Sequence, residues 1–292
     1  MDTIEPLSKK GRPVSGDTGK VSIAAKWVLR IIPLLILVFF CGWLNLYLQF
    51  SGDVARLLAN ATDVSGQKFD YRQLEGLPEP VQAYFKHVLK PGQPYVSSVH
   101  LRHSGLFKTD LEKGWVAISG EEYFTAHRPG FVWKGKTNTF TARDMFIEGK
   151  GRLVVHLFSL FQIQDNQGPQ FNRGELMRWL GESVCFPTNL LPSRDLKWYP
   201  IDERLARLEY SYQGMLVSFM VKFNAAHEIE RMTAMRNMGE GPRQKWVTRL
   251  SEYQLRDGFR IPTVLEAAWD LPEGYFPYAR FTITDIEYNP AL

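Results

Sequence analysis

The sequence predicts a mainly β protein, a β-rich α+β fold in which a curved antiparallel half-barrel sheet surrounds a plug helix and is preceded by one transmembrane helix. Residues 31–50 contain no Asp, Glu, Lys, Arg or His, which predicts the transmembrane helix. After Gly92 the apolar residues recur at every second position, as in antiparallel strands with one buried face. Turn signals follow one another too closely for the crossover helices of a parallel sheet.

The composition excludes several classes of protein. Of the 292 residues, 45% are hydrophobic, 23% are charged and only two are cysteines, so the chain is not a disordered, collagen-like or disulfide-framework protein. The formal net charge of +4 is unevenly distributed, because residues 1–30 carry +3, residues 31–50 carry none and residues 51–292 carry +1. The basic balance belongs to the N-terminal flank, and we expect no nucleic-acid partner.

The uncharged run has the length of a membrane span. At about 1.5 Å of rise per residue it covers roughly 30 Å, the thickness of the hydrocarbon core of a bilayer. Pro33 falls in its first turn, where a missing N–H breaks no hydrogen bond. We expect a disordered cytoplasmic tail over residues 1–26 and a transmembrane helix over residues 27–50, which makes the protein an integral partner of the membrane.

Basic residues predict the orientation of this helix. Six precede the run: Lys9, Lys10, Arg12, Lys20, Lys26 and Arg30. Between the run and Lys68 there is only Arg56. The positive-inside rule therefore predicts a single-pass protein of the inner (cytoplasmic) membrane, with a cytoplasmic N-terminus and a periplasmic or other extracytoplasmic C-terminal domain. A cleaved signal sequence is the alternative, but the small-x-small site at residues 59–61 lies well beyond the apolar run.

The rest of the chain divides into a connector and a domain. We expect a juxtamembrane helix and connector over residues 51–76 and an exported antiparallel β half-barrel domain over residues 77–292. The domain begins with a helix at residues 79–89, where Pro80 suits the first turn and Pro91-Gly92 ends the helix. Its apolar stripe has helical spacing and consists of Val81, Tyr84, Phe85, Val88 and Leu89.

Strands are predicted over about residues 97–163 and 195–289, separated by a helix at Asn172–Ser183. Residues 226–238 fit either structure, because their methionines recur every three residues, but the adjacent strands favour a strand. Such a sheet must cover one apolar face and protect its edges, either as a closed barrel or as an open half-barrel around a helix. The order of helices and strands favours the half-barrel, and either the helix at 79–89 or that at 172–183 is the plug.

Several segments carry a resemblance to known families: LPEPVQAYFKHVL at 77–89, ISGEEYF at 118–124, PGFVWKGK at 129–136, FRIPTVLEAAW at 259–269 and ITDIEYN at 283–289. Together they resemble an uncharacterised bacterial family of membrane-anchored proteins with a domain of unknown function. The order of sheet and helices is also similar to that of the periplasmic lipoprotein carriers and receptors of the Lol pathway. That resemblance implies a curved sheet around an apolar, lipid-accepting cavity. Because this chain keeps an anchor and has no lipobox cysteine, it implies a tethered binder rather than a shuttling carrier.

The motifs that carry chemistry are incomplete, and we expect no catalytic residue, metal site or cofactor. The sequence HEIER at 227–231 lacks the second histidine of a zinc-protease motif, and His100 and His103 point to opposite faces of a strand. The sequence GESVC at 181–185 lacks the last glycine of a nucleophile elbow and lies at a helix end. Glu121 and Glu122 also face opposite ways, and an inward carboxylate would need an Arg or Lys partner.

Aromatic residues are the strongest candidates for a binding site. We expect a lipid-sized cavity, if the core contains one, to be lined by Trp115, Tyr123, Phe131, Trp133, Phe158, Trp179, Trp246 and Trp269. The alternative is that the same residues fill the core. Tyr275 and Phe276 are expected in a loop that forms a lid or a contact with the membrane or a partner.

The sequence leaves two main functions open. The chain binds a lipid or other apolar ligand at the cell envelope, or it is a protein-interaction or sensor module with a filled core, whose partner is an envelope protein. An enzyme is the least supported class. The volume of the cavity distinguishes the first two, because a ligand needs several hundred Å3 of space.

Overall fold

The computed structural model describes residues 23–290 and contains three α-helices and thirteen strands in that range. The helices are α1 (Ile23–Ala59), α2 (Glu79–Val88) and α3 (Pro169–Glu182). The first strands are β1 (Ser98–Phe107), β2 (Val116–Thr125), β3 (Gly130–Lys136), β4 (Phe140–Ile147), β5 (Lys150–Leu157) and β6 (Phe161–Gln167). The others are β7 (Leu196–Asp202), β8 (Leu205–Tyr212), β9 (Met215–Phe223), β10 (Ile229–Asn237), β11 (Arg243–Arg256), β12 (Phe259–Leu271) and β13 (Gly274–Tyr288).

All thirteen strands belong to one open antiparallel sheet. Its order is β6-β5-β4-β3-β2-β1-β13-β12-β11-β10-β9-β8-β7. Each half is a meander, and the halves meet where β1 pairs with β13, with register partners such as Leu101 and Ile286. The sheet does not close, because β6 and β7 remain edges, so the half-barrel rather than the closed barrel is confirmed.

The sheet curves around α3. This helix contacts β3, β4, β5 and β6 in one half of the sheet and β9 and β10 in the other. Neighbouring strands lie about 4.8 Å apart, so a flat sheet would separate β5 from β9 by more than one helix can bridge. The helix at 172–183 is therefore the plug, and it begins three residues before the predicted position, at Pro169. Pro169 suits the first turn because its missing N–H has no partner there.

Strand parity follows the sequence pattern. In β9, Val217, Phe219, Val221 and Phe223 are buried on the concave face, while the residues between them are not. The segment Ile229–Asn237 is a strand, as its neighbours in the sequence favoured. The concave face is covered by α3 and by α2, whose Tyr84 and Phe85 are completely buried against it.

The outer face of the sheet is covered by the last part of α1. Phe50 and Leu57 pack on Val132 of β3 and on Met145 and Ile147 of β4. The sequence predicted a separate juxtamembrane helix after residue 50, but the structure has one uninterrupted helix from Ile23 to Ala59. The reason is that residues 50–57 continue the helical spacing of apolar side chains and find a sheet to bury them against.

Polar contacts fix the same part of α1 on the sheet. The guanidinium of Arg143 on β4 donates a hydrogen bond to Gln49 Oε1 at 2.8 Å and lies 3.3 Å from the carboxylate of Asp53. The ammonium of Lys134 lies 3.9 Å from the centre of the Phe50 ring. Residues from Gly42 onward therefore form one compact unit with the β domain, whereas residues 23–41 of α1 belong to a second unit.

Gly105 provides a test of the β1–β13 junction. A Cβ at this position would overlap the backbone carbonyl oxygen of Arg280 on β13, which cannot move without breaking the ladder. We expect Gly105→Ala to lower the free energy of unfolding by about 1–3 kcal/mol, the usual cost of overpacking. Urea denaturation of the protein in detergent measures this, and Gly114→Ala, where nothing lies within 4 Å of an added Cβ, is the matched control. Equal stability of the two variants would contradict the register of this junction.

Candidate functional site

A cavity of about 710 Å3 lies between α3 and the concave face of the sheet. Eight aromatic side chains line it: Phe107, Trp133, Phe140, Phe171, Trp246, Trp269, Tyr278 and Phe281. The aliphatic lining includes Leu153, Val155, Leu157 and Ile163. Small residues in the lining leave this space open, namely Ala142 on β4, Gly174 on α3, Ala267 on β12 and Ala279 on β13.

A buried arginine forms the polar part of the wall. Arg178 projects from α3, and its guanidinium contacts Glu122 of β2 at 2.9 Å, Asp144 of β4 at 2.7 Å and Glu182 at 3.0 Å. The same guanidinium lies 4.7 Å from the ring centre of Phe131, which supports it from a further side. Arg178 therefore joins the plug helix to one half of the sheet through charge-assisted hydrogen bonds.

A second ion pair joins α3 to the other half of the sheet. Arg236 of β10 donates a hydrogen bond to Glu175 of α3 at 2.8 Å, and its guanidinium lies 4.9 Å from the ring centre of Trp246. The side chain of Glu175 is only 1% exposed. Arg178 of α3 pairs with β2 and β4 in one half of the sheet, and Glu175 of α3 pairs with β10 in the other half. The ion pairs therefore hold both halves of the sheet to the helix.

The wall has more carboxylates than arginines. Four carboxylates (Glu122, Asp144, Glu175 and Glu182) face two guanidinium groups, Arg178 and Arg236. Burial raises the pKa of Glu122 well above its usual value, against the attraction of Arg178, and burial likewise raises the pKa of Glu182. The raised pKa values retain protons that offset the excess of carboxylates, and both guanidinium groups are already paired, so the wall offers no free cation to an additional anion and favours an uncharged or amine-bearing group.

Glu175 is a further buried carboxyl of this wall whose pKa is raised. Burial, followed by the negative charge of Asp144, raises its pKa to about 8. With both groups ionised, Glu175 Oε2 and Asp144 Oδ1 have no hydrogen-bond donor. Protonated Glu175 donates a hydrogen bond to Asp144 instead, which further favours its neutral form.

A neutral histidine fixes one aromatic residue of the lining. The indole N–H of Trp133 donates a hydrogen bond to Nε2 of His103 at 2.7 Å, and the imidazole stacks on Phe281 with ring centres 4.2 Å apart. Burial, helped by the charge of Arg178, lowers the pKa of His103 to about 3, so the ring stays neutral and able to accept this bond. His100 lies on the other face of β1, where it stacks on Tyr123.

The cavity brings together three of the eight aromatic residues proposed as its lining, Trp133, Trp246 and Trp269. Phe131 and Trp179 do not line it, because both are buried in the packed core. Trp179 donates a hydrogen bond from its indole N–H to the carbonyl of Thr125 at 2.9 Å.

The other three proposed lining residues lie outside the concave face. Tyr123 has the opposite parity to Glu122, so it points to the outer face and packs against Phe50 of α1. Trp115 and Phe158 belong to turns beyond the strand ends and are 37% and 49% exposed.

Tyr275 and Phe276 belong to β13 rather than to a loop. The hairpin turn is shorter than the sequence suggested, and Phe276 pairs in register with Trp269. The hydroxyl of Tyr275 donates a hydrogen bond to Glu266 Oε1 at 2.9 Å. A lid of the predicted kind is therefore replaced by a paired strand.

The incomplete chemical motifs have structural roles. The hydroxyl of Ser183 is buried and donates a hydrogen bond to the carbonyl of Trp179 at 2.8 Å, so it lies at the end of α3 and not on a strained turn. Cys185 is buried, and burial raises the pKa of its thiol well above the usual value. Glu228 lies in the turn before β10 and accepts a hydrogen bond from Asn224.

Sequence reasoning did not identify Glu175, Arg178 and Arg236. A signal was present on the plug helix, where Glu175, Arg178 and Glu182 share one helical stripe while Leu176 and Leu180 share another. A helix surrounded by a sheet buries both stripes, so its charged stripe needs partners on the strands. Glu122, which was expected to need a basic partner if it pointed inward, does point inward and meets Arg178.

The sequence profile of the family of unknown function DUF6544 matches residues 67–281. The chain belongs to this family. The match confirms the resemblance seen in the sequence motifs, and it covers α2, the whole plug helix and the first half of β13. No curated protein is significantly similar to the chain.

Three solved structures are similar to this DUF6544 member. A domain named for outer membrane lipoprotein sorting, from Vibrio parahaemolyticus, has a TM-score of 0.41 and 9% identity over 75% of this chain and 94% of its own. A LolA superfamily protein from Nitrosomonas europaea has a TM-score of 0.41 and 10% identity over 73% and 93%. A DUF1329 protein from Desulfovibrio piger has a TM-score of 0.41 and 10% identity over 68% and 88%. Similarities of this degree say nothing about what the chain binds.

One described helix is long and apolar enough to cross a membrane, and it covers Trp27–Ala59. Only 6% of its most apolar stretch is buried inside the protein, unlike the core helix of a globular domain. A membrane anchor and a signal sequence both have this character.

Removing Arg178 tests the buried charge cluster. In Arg178→Met, Glu122, Asp144 and Glu182 lose their shared cation, and we expect the free energy of unfolding to fall by about 3–5 kcal/mol. Arg194→Met is the control, because Arg194 is exposed and pairs with its neighbour Asp195, so its loss should cost less than about 1 kcal/mol. Urea denaturation measures both. A loss below about 1 kcal/mol in Arg178→Met would mean that the cluster does not bind α3 to the sheet.

The pKa of Glu175 predicts how stability depends on pH. Its folded value, about 8, exceeds the ordinary value of 4.5, so between these pH values the folded state binds more protons than the unfolded state. The stability that neutral Glu175 contributes is complete below pH 4.5 and is lost as pH rises through about 8. We expect Glu175→Gln to flatten this fall, which denaturation at several pH values measures, with exposed Glu79→Gln as the control. An unchanged pH profile in Glu175→Gln would contradict the assignment.

Proposed function

We propose that this DUF6544 member is a single-pass membrane-anchored protein that holds a lipid or other apolar ligand in the cavity between α3 and the sheet. The basic N-terminal flank supports a cytoplasmic N-terminus in the inner membrane and an extracytoplasmic domain. In that arrangement α1 is the anchor, and the sheet carries the binding site.

The observation that carries the proposal is the cavity itself. Packed protein interiors contain few voids larger than a water molecule, whereas pockets for small ligands enclose about 300–1,000 Å3. The cavity of about 710 Å3 falls in the second range, and most of its lining is aromatic or aliphatic. A module with a filled core would instead have closed this space with larger side chains at Ala142, Ala267 and Ala279.

The charges on the wall of the cavity restrict the class of ligand. Apolar side chains suit an acyl chain or a similar hydrocarbon, and the groups on α3 are the polar contacts that orient it. Because Arg178 and Arg236 are already paired with carboxylates, they are poor partners for a further anion. We therefore expect neutral or amine-bearing lipids to bind beside α3 in preference to free fatty acids.

Filling the cavity tests this function. In Ala142→Trp the new indole points from the centre of β4 into the cavity, and we expect displacement of acyl chains and at least tenfold weaker binding, which corresponds to about 1.4 kcal/mol. Ala117→Trp, on an exposed position of β2, adds the same side chain outside the cavity. Mass spectrometry of lipids that co-purify with the full chain, and titration with a pyrene-labelled diacylglycerol, measure occupancy and affinity.

The outcomes separate the two functions. Lipid retained by the unaltered protein and by Ala117→Trp, but lost from Ala142→Trp, supports the proposal. The proposal is contradicted if the unaltered protein is free of lipid and binds the probe no more tightly than Ala142→Trp does. The interaction module is then the remaining function. Thermal unfolding of Ala142→Trp shows whether any loss of binding comes from misfolding instead.

A further inference from the structure

We infer that the mouth of the cavity dips into the surface of the bilayer, so that an acyl chain enters the domain directly from the membrane. The inference rests on the proposed function for the identity of the ligand. The position of the mouth is argued from two observations that do not depend on the ligand. One hairpin turn packs against α1, and apolar side chains surround this turn.

The turn between β5 and β6 lies against the part of α1 that belongs to the uncharged run. A Cβ added at Gly42 would lie 2.6 Å from the carbonyl oxygen of Ser159 and 2.6 Å from Cδ2 of Leu160, so the turn packs directly on the helix backbone. Gly42 precedes Phe50, the last residue of the run, by about 12 Å of helix. A membrane that covers the run up to Phe50 therefore also reaches this turn.

Residues 42–57 of α1 are joined to the sheet, which fixes the depth of the turn. Gly42 contacts the β5–β6 turn, Gln49 and Asp53 contact the middle of β4 through Arg143, and Leu57 reaches Gly130 at the start of β3. Residues 42–57 therefore run from one end of the sheet to the other. The end that carries the β5–β6 turn is the end that meets the apolar run.

Apolar side chains are exposed at this same end. Phe158 in the turn is 49% exposed, and Phe161 and Ile163 on β6 are 62% and 61% exposed. Leu106, Trp115 and Val116, around the β1–β2 turn at the same end of the sheet, are also exposed. Contiguous exposed apolar residues on an edge strand are a liability in water but suit a membrane interface. Farther along β6, Gln164 and Asp165 return the strand to a polar environment.

The cavity opens at this end too. Its lining includes Thr109 and Thr139, in the β1–β2 and β3–β4 turns, and Gly239 in the β10–β11 turn. Leu157 and Ile163, which flank the β5–β6 turn, line it as well. These turns lie at one end of an antiparallel sheet, so the mouth of the cavity coincides with the exposed apolar side chains at that end. We call these side chains the rim: Leu106, Trp115, Val116, Phe158, Phe161 and Ile163. A lipid chain then passes from the bilayer into the cavity without crossing water.

Spin labelling tests the depth of the rim. A nitroxide is attached at Phe161→Cys, on a Cys41→Ser background, in the full chain reconstituted into vesicles of phosphatidylethanolamine and phosphatidylglycerol. We expect its collision rate with oxygen to exceed that with a water-soluble nickel chelate. A label at His127→Cys, in the exposed β2–β3 turn at the opposite end of the sheet, should show the reverse ratio. Equal, water-like ratios at both positions would overturn the inference.

Charge at the rim tests its role in lipid entry. Phe161→Glu makes immersion of the rim costly, while His127→Glu places the same charge in the exposed β2–β3 turn at the opposite end of the sheet. We expect Phe161→Glu to slow loading of the pyrene lipid from vesicles at least tenfold relative to His127→Glu, but to leave loading from detergent micelles unchanged. Equal rates from vesicles would contradict entry through the rim.

The two proposals fail in different ways. A water-exposed label at position 161 in a protein that still retains lipid would overturn the position of the mouth and leave the binding function. An immersed label in a protein that never holds lipid would overturn the binding function and leave the position of the mouth.

Discussion

The contact between Arg178 and its three carboxylates is the interaction on which the site depends. A guanidinium buried between a helix and a sheet is tolerated only when every charge around it is paired, and this requirement fixes α3 relative to β2 and β4. The second pair, between Glu175 and Arg236, joins α3 to β10 in the other half of the sheet. The long side chains of these pairs act as spacers between α3 and the strands, and the cavity occupies the space that they keep open.

The faces of the strands could be predicted because they follow from parity alone. Glu121 and Glu122 alternate on β2, so one had to point outward, where it meets Lys134, and the other inward, where it meets Arg178. The helix at 79–89 and the open sheet were predictable for a similar reason. Proline, glycine and the spacing of apolar residues are local signals, and these segments obey them without interference from distant parts of the chain.

The lining of the cavity could not be predicted in the same way. Trp133 and Trp179 are both inward-facing aromatic residues in the sequence pattern, yet one borders empty space and the other is completely packed. The difference depends on what lies opposite each of them, and only the curvature of the whole sheet decides that. Tyr123 is covered for a reason the sequence does not show locally, because its cover is Phe50, more than seventy residues earlier in the chain.

The packing of α1 on β3 and β4 also has a consequence for the proposed membrane anchoring. A domain on a flexible tether explores a volume set by the length of its linker. Here residues 42–57 are fastened to the sheet by Phe50, Leu57 and the Arg143–Asp53 pair, so no free linker separates the apolar run from the domain. In the proposed membrane-anchored arrangement, the domain therefore stays at a fixed distance from the membrane surface, and its ligand has to reach it there.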